Sequence, residues 1–131
     1  MAVQIGFDEG LSHQIEAGVD LFVMPSRYEP CGLNQMYSQR YGTPPLVHGT
    51  GGLRDSVVDC TPATLKNQTA TGFVFTPLDP ATLLENCRRA VAAYRDKRIW
   101  RQLQKNGMQR DFSWEARAQQ YLGLYRGLPV G

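Results

Sequence analysis

The sequence predicts an α/β fold built on a parallel sheet with flanking helices. Short apolar runs of strand length, such as Leu21-Phe22-Val23-Met24 and Phe73-Val74-Phe75, alternate with segments that are apolar at helical spacing. The runs are continuous rather than alternating, as in strands covered on both faces. Each leads through a turn rich in Pro, Gly, Ser or Thr into a helix, the order of right-handed strand–helix–strand crossovers.

Taken in order, Val3-Gln4-Ile5 reads as a short strand ending at Gly6-Phe7. Asp8 then caps a helix with Glu9 in its first turn, with Leu11, Ile15 and Ala17 inward and Gly18 as its stop. Val19 to Met24 is the next strand. Pro25 and Ser26 turn into a loop bearing Arg27, Tyr28 and Glu29. Pro30-Cys31-Gly32 opens a helix whose apolar residues are Leu33, Met36, Tyr37 and Tyr41, closed by Gly42.

Leu46-Val47 is a third strand, ending at Thr50-Gly51-Gly52, and Leu53 to Asp59 continues as a helix with Leu53, Val57 and Cys60 inward. Thr61 to Thr71 is polar and reads as a connecting loop with room for a helical turn. Thr71 to Phe75 is the fourth strand. Asp79 caps a helix that has Pro80 at its first position and Leu83, Leu84, Cys87, Val91 and Tyr94 on one face. A helix with Ile99, Trp100 and Leu103 stops near Gly107, and Ser113 caps a last one with Trp114, Ala118, Tyr121, Leu122 and Tyr125 inward.

Composition narrows the function classes. At 131 residues and 42% hydrophobic, one domain can bury roughly two-thirds of its unfolded surface. Fourteen basic residues against twelve acidic ones leave +2, too mild for a nucleic-acid binder, and no basic cluster interleaves with aromatics. Arg95-Asp96-Lys97-Arg98 reads as a solvated helix end. No run approaches the roughly 18 apolar residues of a membrane span, and no signal-peptide pattern opens the chain. Cys31, Cys60 and Cys87 are far apart and odd in number, supporting neither a disulfide framework nor a zinc site. The expectation is a soluble, metal-free protein of a reducing cytoplasm, with His13 and His48 as surface or packing residues.

The chemistry concentrates in Pro25 to Gly52. Two strand-to-helix turns, one with a carboxylate and one rich in glycine, are the parts of a ligand crevice in an open α/β sheet. Early helical N–H groups, here those of Gly32 and Leu33, lack internal partners and can bind an anion such as phosphate. Thr50-Gly51-Gly52 repeats the arrangement, so that two sets of amides can hold one diphosphate. Each residue has a plainer reading: Glu29 as an ordinary charge at a helix start, TGG as a plain turn, Cys31 as a small packing residue.

The runs AGVDLFVMPSRYEPCGL, YGTPPLV and TGGLRDSV, with later TGFVF and DFSW, resemble bacterial glycogen synthases and plant starch synthases over nearly the whole chain. The resemblance implies a retaining glucosyltransferase of the two-Rossmann GT-B type. Such an enzyme moves glucose from ADP-glucose, or UDP-glucose in some members, to the 4-OH at the non-reducing end of an α-1,4-glucan without a cofactor or metal. Residues 1–110 would be part of the C-terminal, Rossmann-like, donor-binding domain, and 111–131 a helix packing on an N-terminal acceptor domain. By the same resemblance Glu29 would hold the donor-glucose hydroxyls and steady positive charge at the anomeric carbon. Backbone groups of Cys31, Gly32 and Leu33 would contact sugar and diphosphate. Thr50 and Gly51, with Gly52 in the same turn, would hold the distal phosphate.

Phe7 stands where the family usually has a Tyr that stacks on adenine. Related GT-B families carry E-x7-E, but the residue eight after Glu29 is Tyr37. No second carboxylate at glycosidase spacing is evident, and direct front-face displacement is the mechanism the family suggests. The upstream Arg and Lys that clamp the diphosphate are missing, so these 131 residues alone are expected to be inactive. The location implied is cytoplasmic, or plastidic for a plant chain. A nucleotide-binding regulatory or scaffold module without chemistry stands as the alternative, and a fragment that folds but binds nothing as a third.

Overall fold

The structure, a computed structural model, describes residues 2–127. Among these, three short strands, β1 (Phe22–Met24), β2 (Pro45–His48) and β3 (Phe73–Phe75), form a parallel sheet in the order β1-β2-β3. Seven helices flank it: α1 (Glu9–Gly18), α2 (Asn34–Arg40), α3 (Gly51–Ser56), α4 (Pro62–Lys66), α5 (Pro80–Arg95), α6 (Lys97–Met108) and α7 (Trp114–Arg126). The α/β class and the parallel sheet are as the sequence predicts.

The strands alternate their side chains between two layers. Leu46, Phe73 and Phe75 turn to one face, where Ala90, Ala93, Trp100 and Leu103 of α5 and α6 complete the larger core. Val47 turns to the other with Leu53 and Val57, joined by Met24 and Val74. Pro45 opens β2, the strand position that tolerates a missing N–H.

Several expectations are corrected. No strand forms at Val3–Ile5, and Val3 and Ile5 are exposed, because no other strand lies beside them to take their backbone groups. The sheet therefore has three strands among the described residues, not four. The strand expected from Val19 starts only at Phe22; the Val19 N–H instead caps α1. α3 ends at Ser56, and Val57–Asp59 run on extended to an isolated bridge between Asp59 and Gly72. The connecting stretch 61–71 does carry a helical turn, α4, begun by a capping box between Thr61 and Thr64. α6 stops at Met108, next to Gly107 as expected, and Gly107 is buried where a Cβ would touch Gln39.

The faces differ too. On α1 the buried residue is Glu16, while Ile15 and Ala17 are exposed. On α5, Asn86, Ala90 and Ala93 are buried, and Leu84, Val91 and Tyr94 face outward. The inner face of α2 is polar: Gln35, Ser38 and Gln39 are buried, whereas Leu33, Tyr37 and Tyr41 are exposed. No α7 residue is buried, and Trp114, Tyr121, Leu122 and Tyr125 lie open, as expected of a face read as packing on another domain. The end of the 111–131 segment, from Leu128, and Met1 lie outside the described residues.

Candidate donor site at the strand C-termini

All three strands point the same way, so their following loops gather at one end of the sheet. Those loops are tied to each other directly. His48, at the end of β2, holds the Ser26 carbonyl with Nδ1 at 2.8 Å and packs its ring on Phe75. The Gly49 N–H donates to the Phe75 carbonyl at 2.9 Å. His48 is thus a packing residue that braces the site's floor.

The two turns of interest touch backbone to backbone. The Gly52 N–H donates to the Glu29 carbonyl at 3.1 Å and the Pro30 carbonyl at 3.2 Å. A Cβ on Gly51 would collide with the Glu29 carbonyl oxygen, and one on Gly52 with that of Cys31. Glycine is required at both positions by this approach, and at Gly51 also by its φ of +46°.

The Glu29 side chain is half-buried, with no hydrogen bond or ion pair to any described residue. Cys31 is an exposed free thiol, and Leu33 is exposed at the start of α2. The N–H groups of Gly32, Leu33 and Gly51 have no backbone or side-chain acceptor among the described residues. Thr50 caps α3 through its backbone only, its carbonyl taking the Leu53 N–H at 3.1 Å. The Gly52 amide donates to the Glu29 and Pro30 carbonyls in this structure. Phe7 is almost fully exposed and lines a hollow of about 440 Å³ together with Leu33 and Asn34.

A groove of about 710 Å³ lies beside these turns rather than over Glu29. It is lined by the outward face of α2 and the Met108–Ser113 segment and shares Leu33 with the site.

Two residues that the sequence reading passed over organise the turns. Gln35 is fully buried, and its amide nitrogen donates to the carbonyls of Cys31 (3.1 Å) and Gly32 (3.0 Å) and to Ser56 Oγ (3.0 Å). Ser56 Oγ in turn donates to the Gly52 carbonyl at 2.6 Å. A glutamine three and four places after two turn carbonyls is within reach of both, which is the signal that could have found it.

The chain is 66% identical over 128 residues to the glycogen synthase of Nitrosospira multiformis, a match spanning 98% of this chain and 26% of that protein. The catalytic domain of starch synthase IV from Arabidopsis thaliana, solved bound to ADP and acarbose, superposes with a TM-score of 0.83 at 43% identity, over 93% of this chain and 25% of that one. The chain is similar to glycogen synthases and a starch synthase along nearly its whole length. It spans about a quarter of the length of the curated relatives it matches. Its fold is that of the corresponding part of the GT-B starch synthase catalytic domain. A sucrose-phosphate synthase from Thermosynechococcus elongatus is also similar, at 33% identity and a TM-score of 0.62 over 86% of this chain and 26% of that one. No protein-family model matches the chain. Among the described residues, no group of His, Cys, Asp and Glu could hold a metal ion, and no helix is long and apolar enough to cross a membrane.

Proposed function

We propose that this chain is the donor-binding part, from the C-terminal domain, of a retaining glucosyltransferase that moves glucose from ADP-glucose to the non-reducing end of an α-1,4-glucan. The observation that carries the reading is the 66% identity to a glycogen synthase along 98% of the chain, through both turns. The packing of those turns against one another supports it, since one diphosphate can reach both.

In this reading the free amides of Gly32 and Leu33 meet the sugar and its phosphate, with the Cys31 backbone beside them. The Gly51 amide and the Thr50 hydroxyl meet the distal phosphate. Glu29 holds the donor glucose, and its carboxylate faces the positive charge that grows at the anomeric carbon. Phe7 offers its exposed ring to the base. Catalysis is then stabilisation of the departing nucleoside diphosphate by fixed donors, each worth about 2.7–4 kcal/mol in such sites. The leaving phosphate takes the proton of the attacking 4-OH on the same face. The reading requires no cofactor or metal, and places the protein in the cytoplasm, or in a plastid for a plant chain. Its partners are the donor, the glucan and the acceptor-binding remainder of a full-length synthase.

Calorimetric titration of ADP, ADP-glucose and UDP-glucose into the chain tests it. ADP-glucose should bind more tightly than ADP, and Glu29→Ala should abolish that gain. Equal affinity with and without the sugar would instead make the chain a nucleotide-binding module, and no binding at all would sink both readings.

A further inference from the structure

We propose that Gln35 and Ser56 are positioning residues that lock the Glu29–Leu33 and Thr50–Gly52 turns into one rigid unit. For its functional consequence this rests on the donor-binding reading above.

In a trans peptide the C=O of one residue and the N–H of the next point in opposite directions. Gln35 draws the carbonyls of Cys31 and Gly32 inward, so the N–H groups of Gly32 and Leu33 are turned outward. The Thr50 carbonyl is held within α3 by the Leu53 N–H, which turns the Gly51 N–H outward in the same way. The link between the turns is the chain from Gln35 Nε2 through Ser56 Oγ to the Gly52 carbonyl. Gln39 reinforces it, donating to the backbone carbonyls of Gln35 (3.0 Å) and Ser56 (3.1 Å).

Packing alone does not account for Gln35. Its Oε1 is buried with no partner among the described residues, as is that of Gln39. Leu or Met would fill similar space without stranding a polar atom. What an apolar side chain cannot do is hold two carbonyls and a hydroxyl at once. The amide nitrogen is the part that is used, and the stranded oxygen accompanies it.

The test uses the 131-residue chain with Gln35→Leu, Ser56→Ala and Ser56→Thr, and Trp100→Ala as a destabilised control far from the turns. Site-resolved amide exchange reads the coupling across the gap. Gln35→Leu should speed exchange of the Gly52 N–H at least tenfold, and Ser56→Ala that of Met36 and Tyr37, more than Trp100→Ala does at equal loss of Tm. Ser56→Thr, which keeps the hydroxyl, should restore protection. Exchange that changes only on the substituted turn, or only in step with global stability, overturns the lock. ADP-glucose titration is the second readout: affinity should fall at least fivefold in Gln35→Leu and stay within twofold in Trp100→Ala. Equal losses overturn the positioning role. A wild-type chain that binds no nucleotide sugar overturns the donor reading and the role at the donor, while exchange still decides the mechanical claim. Should Gln35→Leu fail to fold, Ser56→Ala, which removes one hydroxyl, decides both.

Discussion

At the scale of single residues, the site depends on what is absent as much as on what is present. Gly51 combines a left-handed φ with a carbonyl lying where a Cβ would go. Gly51→Ala therefore costs about 1–2 kcal/mol from conformation alone, and the collision with Glu29 must push the two turns apart. Urea unfolding should show a loss of at least this size, and nucleotide binding should weaken with it. Glu16 is a second such position. Its carboxyl is 1% exposed, with Oε2 unpartnered, and burial raises its pKa above the ordinary 4.5, partly offset by His13. A raised folded pKa means that the stability linked to this group is fully present below 4.5 and is lost as pH rises through the folded value. Glu16→Gln removes the charge without changing the shape. It should stabilise the chain at pH 7 and leave it nearly unchanged at pH 4, read by melting the two proteins at both values. A variant that melts lower at pH 7 would mean the ionised carboxylate is favoured after all.

At the scale of elements, α2 and α7 both leave apolar residues open, for different reasons. The spacing of Leu33, Met36, Tyr37 and Tyr41 was legible, but the turns to be held are polar, so α2 buries Gln35, Ser38 and Gln39 and leaves its apolar face along the groove. α7 has its cap as read, with Ser113 accepting the Ala116 N–H, and Trp114, Tyr121, Leu122, Leu124 and Tyr125 are all exposed. A helix that buries none of its residues adds little to stability. Truncation after Ser113 should leave Tm within about 4 °C of the intact chain, against the several degrees that each kcal/mol is worth at this size. The intact chain should also bind a hydrophobic dye or self-associate, and the truncated one should do less of both. A large fall in Tm, or an intact chain that is a monomer and blind to the dye, would show α7 to be packed.

At the scale of the whole molecule, the chain spans about a quarter of the length of the synthases it matches. Every residue proposed for the chemistry here addresses the donor, and none addresses the glucan. The chain by itself should therefore bind ADP-glucose without transferring glucose; incorporation of labelled glucose into glycogen by the purified 131 residues would contradict this. The open edge of β1 and the unpaired Val3–Ile5 segment belong to the same scale. A strand signal is only half of a strand, because its hydrogen bonds are completed by a neighbour.

What the sequence by itself determined was local: the caps Asp8, Asp79 and Ser113, the parallel α/β class, the two turns, and the family resemblance written in EPCGL and TGGL. These follow from the steric and hydrogen-bonding habits of residues close together in the chain. Tertiary structure alone decided that Gln35 reaches Ser56, twenty-one positions away, that the Gly52 amide donates to the Glu29 and Pro30 carbonyls, and that Glu16 rather than Ile15 is buried. Periodicity reports which side chains share a face, but which face is covered is settled by the neighbour that packs on it.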